Sequence, residues 1–336
     1  MRFDTARSTP RTPHGSSDDP ALLDFSANTN PEVPPGVESV YREAFDSVRT
    51  YPRDPPRRFR ETAAAYVGCT PEQVIPTPGG LAAIRLTVDL AVESGDRVAV
   101  PAPSFGEYAR EVRLQGGTPE FVAHDEILGV DPTEYALVVV CNPNNPTGEA
   151  YDDDALRAFA TRCRDAGTPL LADEAFLGFT DRPSLAGTPG VVVARALTKL
   201  FGMPGLRVGF AVATDRHREA LANARRTWNL GAPALATGTY CMDQSAFVAE
   251  TRERVRRERH RLRETLAAEF DVSPSDAPFL LVDVGDRSVD ALLDHAEQAG
   301  LALRDARTFR GLDSHVRVAV RLPAENDRLL EVFDGV

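Results

Sequence analysis

The sequence predicts an α/β protein: a large domain whose mostly parallel sheet is flanked by helices, joined to a smaller α/β domain. Two observations carry this. From about residue 59 to residue 225, apolar runs of strand length alternate with segments of helical periodicity, the pattern of buried strands joined through crossover helices. Beyond about Arg225 the rhythm changes to one long charged helix followed by short strands and helices, which marks a second unit. A length of 336 residues leaves room for both, at roughly 150 residues per domain.

Taken in order, residues 1–21 are rich in Ser, Thr, Pro, Asp and Arg and carry too little apolar surface to pack alone. They read as a flexible arm that is mobile or rests on a neighbour. Residues 59–67 have helical spacing and stop at Gly68. Thr70-Pro71-Glu72-Gln73 has the spacing of a capping box, with proline at the first helical position. Residues 81–92 read as a helix halted by Ser94-Gly95, and 97–100 as a short buried strand. A strand over 136–141 follows, then a helix over 154–164 behind aspartates that favour a helix N-terminus, then strands over 169–172 and 191–194. In the C-terminal third, residues 245–270 set Val248, Val255, Leu262 and Leu266 along one helical stripe. Strands near 279–284, 301–304 and 316–320 complete the smaller unit. The arginines between 252 and 263 interleave with Glu250, Glu253, Glu258 and Glu264, which reads as a solvated helix face laced with ion pairs.

Composition narrows the partners. Fifty acidic against 38 basic residues give a net charge of −12, which repels phosphate backbones and anionic lipid, so neither nucleic acid nor membrane is an expected partner. Lys199 is the only lysine, and the remaining 38 − 1 = 37 basic residues are arginine. An acidic, lysine-poor chain suits a halophilic cytoplasm, where carboxylates hold water and net charge maintains solubility. Cys69, Cys141, Cys163 and Cys241 form no CxxC pair, so no metal site is expected and the thiols read as reduced. No apolar run approaches the roughly 18 residues of a membrane span, and residues 1–20 lack a signal-peptide core, so a cytoplasmic location is expected.

Four segments fall at the ends of predicted strands or at a helix start, where open α/β sheets bind ligands. Pro78-Gly79-Gly80-Leu81 precedes a helix, whose free N–H groups suit a phosphate. Residues 141–148, Cys-Asn-Pro-Asn-Asn-Pro-Thr-Gly, follow a buried strand and contain two Asn-Pro steps that fix amide side chains. Asp173 ends an apolar run, and a carboxylate at that depth costs several kcal/mol unless something positive faces it. Lys199 follows the strand over 191–194 and lies between apolar residues, eight positions before Arg207. A carbonyl cofactor needs an amine to form an imine, and arginine cannot replace it because arginine does not deprotonate.

In this order the motifs resemble the fold type I pyridoxal-phosphate enzymes of the aspartate aminotransferase superfamily, from about Phe25 to Phe333. The sequence is most similar to the branch that contains histidinol-phosphate aminotransferases and threonine-phosphate decarboxylases. The similarity to the decarboxylases of cobalamin biosynthesis lies in Leu23-Asp24-Phe25-Ser26-Ala27-Asn28-Thr29-Asn30-Pro31, Asp173-Glu174-Ala175-Phe176, Leu303-Arg304-Asp305 and Arg317-Val318-Ala319-Val320-Arg321. The resemblance implies pyridoxal 5′-phosphate as cofactor, anchored on Lys199, which also moves protons at the substrate's α-carbon. It implies that Asp173 pairs with the pyridinium nitrogen, Asn145 bonds the phenolic oxygen and Phe105 stacks on the ring. The phosphate falls to the Gly80 and Leu81 N–H groups, Thr198 and Arg207, with Tyr51 arriving from a neighbouring subunit, which makes a homodimer the expected unit. Arg317 is expected to clamp the substrate's α-carboxylate, while Asn28, Arg304 and Arg321 are candidates for its phosphate.

Two departures from the broader superfamily stand out. Phe176 replaces a tyrosine, which leaves Asn145 as the main donor to the phenolic oxygen, and Ala196 replaces a hydroxyl residue that often touches the phosphate. The Phe176 change agrees with the decarboxylase branch. The full expectation is therefore a large cofactor-binding domain over 49–225 and a small domain over 22–48 and 226–336. The expected substrate is a small phosphorylated amino acid or amine, with L-threonine O-3-phosphate decarboxylated to aminopropanol phosphate. An aminotransferase of the histidinol-phosphate type is the alternative. Arg317 and Arg321 lie four apart on a predicted strand, hence on one face and about 13 Å apart at about 3.3 Å per residue, where long side chains can converge on two anions. A non-catalytic binding protein of the same fold would not need both Lys199 and Asp173.

Overall fold

The protein is described here by a computed structural model over residues 3–335. A seven-stranded sheet forms from β1 (Val74–Thr77), β2 (Arg97–Ala102), β3 (Thr118–Ala123), β4 (Leu137–Cys141), β5 (Leu170–Asp173), β6 (Val191–Ala196) and β7 (Gly209–Val212), in the spatial order β1-β7-β6-β5-β4-β2-β3. From β6 through β5, β4 and β2 to β3 all pairings are parallel, and β7 runs antiparallel to both its neighbours. The central strands are buried along their whole length because alternate side chains enter two different cores. Val138 and Val140 join one apolar cluster, while Leu137, Val139 and Cys141 join the other.

The covering helices include α1 (Arg57–Val67), α2 (Gly80–Ala91), α3 (Glu107–Gln115) and α4 (Asp153–Ala166). Asp152 caps α4, its carboxylate accepting the Asp154 and Ala155 N–H groups, and Gly167 ends it in the left-handed conformation. In the C-terminal third, α5 (Ser245–Leu266) buries Val248, Val255, Leu262 and Leu266, the stripe its periodicity predicts. A four-stranded antiparallel sheet follows, with β8 (Asp271–Val272), β9 (Phe279–Asp283), β10 (Arg304–Asp305) and β11 (His315–Ala319) in the order β10-β11-β9-β8. Leu23–Asp24 pairs in parallel with Leu301–Ala302, which ties the N-terminal segment to the C-terminal third.

Several local expectations change. β1 and β3 escape the strand pattern because each contains a proline, Pro76 and Pro119, tolerated because both strands lie at the edges of the sheet. The capping box at Thr70 opens only a three-residue 3-10 turn, Pro71–Gln73. The segment over 301–304 breaks at Leu303, so that Arg304 joins β10 and not the strand that pairs with Leu23. The arm, expected to be mobile or to lie on a neighbour, instead rests on its own chain. Arg110 donates to the Pro10 carbonyl, Arg304 to the Pro13 carbonyl, and the Ser16 N–H to the Ser26 hydroxyl. Gly106 and Gly15 make that seating possible. A Cβ on Gly106 would stand 2.4 Å from Thr12, and one on Gly15 2.4 Å from the Ser26 carbonyl.

Candidate active site

A cavity of about 320 Å³ opens at the C-terminal ends of β4, β5 and β6. Asn28, Gly80, Leu81, Phe105, Asn145, Asp173, Thr198, Lys199, Arg207, Arg304 and Arg317 all line it, so eleven residues scattered over the sequence converge. Two expected site residues do not line it. Tyr51 is 76 % exposed and stacks on Trp228 at 4.3 Å, on the outer surface of this chain. Arg321 lies beyond the end of β11, so it does not share a strand face with Arg317. Its guanidinium is engaged by Glu325 and the Asp24 carbonyl, and stands against the Phe25 ring.

One side of the cavity is formed by the start of α2, whose first residues Gly80 and Leu81 line it. Gly79 precedes α2 with φ +88°, and no side chain caps the helix, which leaves its first N–H groups free for a ligand. The positive φ favours glycine at 79, and a Cβ there would lie 2.7 Å from the tip of the Arg207 side chain, which would have to shift. Among the described residues the Arg207 guanidinium donates to the Pro204 carbonyl alone.

Asp173 ends β5 beside Cys141, its partner in the ladder. It is buried, and its two oxygens accept from different donors: the Tyr108 hydroxyl at 2.6 Å and the Ala175 N–H at 3.0 Å. Burial raises its proton affinity, which those donors oppose. Arg195 and Lys199 act on it through space, but no ion pair among the described residues neutralises it, and Arg195 is engaged by Glu174 at 3.1 Å. The carboxylate is therefore free to pair with a cationic group of a ligand. Sequence reasoning misses Tyr108, three residues after Phe105, whose ring it meets edge to face at 5.6 Å, because a tyrosine at that place on an amphipathic helix reads as core.

Lys199 follows β6 on a loop clasped by the N-terminal segment. The Asn30 N–H donates to its carbonyl, and Gly202, at φ +70°, lets the Asn30 and Glu32 carbonyls approach. Burial, and then the Arg317 and Arg207 charges, lower its ammonium pKa to about 8. About one molecule in ten then carries the nucleophilic neutral amine at pH 7.

Arg317 donates to the Asn145 side-chain oxygen at 2.5 Å and the Ser26 carbonyl at 2.8 Å, and its Nε has no partner among the described residues. Burial, together with the Arg304 charge, brings its pKa down to about 9. Arg304 stands directly opposite on β10, and donates to the Pro13 carbonyl and the Thr308 hydroxyl. Its Nε and the Asn28 Oδ1 are likewise buried without partners. No ion pair neutralises Arg207, Arg304 or Arg317 among the described residues. Uncompensated cations, a buried carboxylate without a cation, a primed amine and a helix N-terminus are the donor set that pyridoxal phosphate requires.

Fold and cavity thus define a pyridoxal-phosphate-dependent enzyme of fold type I. Residues 21–333 match the family of class I and II aminotransferases, and the chain belongs to it. It is 30% identical to the threonine-phosphate decarboxylase of Salmonella typhimurium over 94% of this chain and 91% of that protein. It is 31% identical to the histidinol-phosphate aminotransferase of Symbiobacterium thermophilum, over 93% and 90% respectively. Among solved structures, the histidinol-phosphate aminotransferase of Clostridium acetobutylicum superposes with a TM-score of 0.86 at 25% identity, covering 94% of this chain and 98% of that one. No helix of the described residues is long and apolar enough to cross a membrane.

Proposed function

We propose that this enzyme decarboxylates L-threonine O-3-phosphate to aminopropanol phosphate, in the cytoplasm and in the service of cobalamin biosynthesis. The observation that carries the reading is the pair Arg304 and Arg317. Two buried guanidiniums face one cavity from paired strand positions, neither has a carboxylate partner, and each retains an unpartnered Nε. A small substrate bearing both a carboxylate and a phosphate would neutralise both. Arg317, the deeper of the two, takes the carboxylate, while Arg304 and the Asn28 amide take the phosphate.

Pyridoxal phosphate, when bound, supplies an aldehyde for the substrate amine and a cationic ring that draws electrons from the α-carbon. Lys199 holds the cofactor and, once free, returns a proton to the α-carbon. Asp173 keeps the ring nitrogen protonated, with Tyr108 fixing the carboxylate plane, and Asn145 donates to the phenolic oxygen. The α2 N-terminus, Thr198 and Arg207 hold the cofactor phosphate, and Phe105 covers the ring. A second copy of the chain completes the unit by covering the exposed Tyr41, Phe45, Tyr51 and Trp228, with Tyr51 reaching the partner's cofactor phosphate. The acidic, lysine-poor surface supports work at high salt.

Amino transfer from histidinol phosphate is the second reading, supported by the relatives of that name. The decisive experiment incubates cofactor-loaded protein with threonine O-phosphate, and separately with histidinol phosphate and 2-oxoglutarate, and identifies the products. Carbon dioxide and aminopropanol phosphate are expected. Transfer of the amino group to 2-oxoglutarate, with no carbon dioxide from threonine O-phosphate, would establish the aminotransferase instead.

A further inference from the structure

A second cavity of about 510 Å³ lies beneath the N-terminal arm, outside the catalytic one. The two share the walls Thr12, Pro13, Phe105, Gly106, Thr308 and Phe309, so the outer groove lies directly against the catalytic pocket. Its charge is one-sided. Arg11, Arg110, Arg113 and Arg310 line it and no aspartate or glutamate does, in a chain whose net charge is −12. Arg110 is balanced by Glu107 and Glu111, each at 3.3 Å. Arg11, Arg113 and Arg310 are exposed and meet no carboxylate among the described residues. Arg113 on α3 and Arg310 on the loop after β10 converge on the ring of Phe121 in β3, their guanidinium carbons 5.9 and 3.9 Å from its centre. An aromatic face holds cations in place without neutralising them, so two charges stay together and available.

We propose that this groove is an entry station for phosphomonoesters: Arg113, Arg310 and Arg11 capture the phosphate of a small amino compound and pass it inward to Arg304 and Arg317. The inference rests on the reading that the substrate carries a phosphate. Its physical basis is that a strongly acidic surface repels a dianion everywhere except at a local cationic cleft. Such a cleft focuses the field and accelerates encounter by about 10-fold to 1,000-fold. Guanidinium pairs grip phosphate oxygens through two N–H groups, yet at an exposed site the contact is weak enough to be released inward.

The test follows the absorbance change of the cofactor-loaded enzyme by stopped flow on mixing with threonine O-phosphate, and in parallel with threonine. The Arg113→Gln/Arg310→Gln double variant should bind threonine O-phosphate about tenfold more slowly at low ionic strength. The difference should vanish near 1 M salt, where the screening length is about 3 Å. The rate for threonine, which lacks the phosphate, should change less than twofold. Arg113→Lys/Arg310→Lys, which keeps both charges, should restore most of the rate. An equal slowing for threonine, or a change below twofold for threonine O-phosphate, overturns the entry station while leaving the proposed function intact. If neither threonine O-phosphate nor histidinol phosphate perturbs the wild-type spectrum, the functional reading fails and the station falls with it.

Discussion

The same residue does opposite things in two regions of this molecule. Along α5, Arg252, Arg254, Arg256, Arg257 and Arg261 each meet a carboxylate, while Arg259 and Arg263 donate to backbone carbonyls. These are local neutralisations, several with partners on other elements such as Asp181, Glu32 and Asp327, and they hold a surface together. In the catalytic cavity Arg304 and Arg317 are buried and Arg207 is exposed, yet among the described residues the contacts of all three are amides, hydroxyls, carbonyls and aromatic faces, never a carboxylate. A buried cation without an anion is costly. Its persistence marks a place for a ligand's charge, and the contrast explains how an arginine-rich chain reserves a few arginines for chemistry.

Removing one arginine from each kind of buried setting sharpens this comparison most. Arg317→Met should lower kcat/KM for the phosphorylated substrate by about 30-fold to several thousand-fold, the effect of losing about 2–5 kcal/mol at a desolvated anion contact. Arg317 serves only neutral acceptors, the Asn145 side-chain oxygen and the Ser26 carbonyl, and its own buried charge is removed with it, so the cofactor-free protein should lose about 1 kcal/mol at most. Arg195→Met should behave in the opposite way. It strands Glu174, which is buried and left with only the Ser184 hydroxyl and the Leu185 N–H, so a loss of about 3 kcal/mol in urea unfolding is expected. If Arg317→Met destabilises the cofactor-free protein as much as Arg195→Met does, the distinction between reserved and structural arginines is wrong.

A second, smaller effect reads the reserved charges through Lys199. Its ammonium is disfavoured first by burial and next by Arg317 and Arg207, which bring its pKa from 10.5 to about 8. Only the neutral amine attacks the cofactor's aldehyde. The rate at which cofactor-free protein takes up pyridoxal phosphate should therefore rise about tenfold per pH unit below 8 and level off above it. Arg317→Met removes a repelling charge, makes the ammonium less unfavourable, and should move that midpoint upward, slowing uptake at pH 7. A midpoint that stays fixed would show that burial alone sets the lysine.

How much of this was legible in the sequence follows from which interactions are local. β4, residues 170–172 of β5 and residues 191–194 of β6 are uninterrupted apolar runs, and Lys199, Asp173 and the Gly79-Gly80 turn sit at element ends, so period and punctuation sufficed. Arg304 and Arg317 were each visible as candidates, but their pairing depends on the register of β10 against β11, which spans a gap no local pattern encodes. The expected pair, Arg317 with Arg321, assumed a strand that in fact ends at Ala319. Tyr108 was hidden because a tyrosine on an amphipathic helix reads as core until its hydroxyl is seen beside Asp173. The arm carries few apolar residues, which reads as a segment that is mobile or rests on a neighbour. What seats it is carbonyl acceptors and two neighbouring glycines, Gly15 and Gly106, neither of which a hydrophobic pattern reports.

The smallest predicted effect tests the other side of the comparison. Arg256 pairs with Glu253 one turn away and approaches Asp181 at 3.7 Å, and all three side chains are more than half exposed. Water already solvates these charges well, and holding two long side chains together costs conformational freedom, so an exposed pair contributes between nothing and about 1 kcal/mol. Arg256→Gln should therefore change the free energy of urea unfolding by no more than about 0.5 kcal/mol, leave kcat/KM unaltered, and respond little to added salt. A loss above about 1.5 kcal/mol would mean that the arginines of α5 act as a cooperative network with Asp181, and not as separate surface pairs. In that case local neutralisation would not describe the helix, and the arginines of the cavity would differ from those of the surface in burial alone.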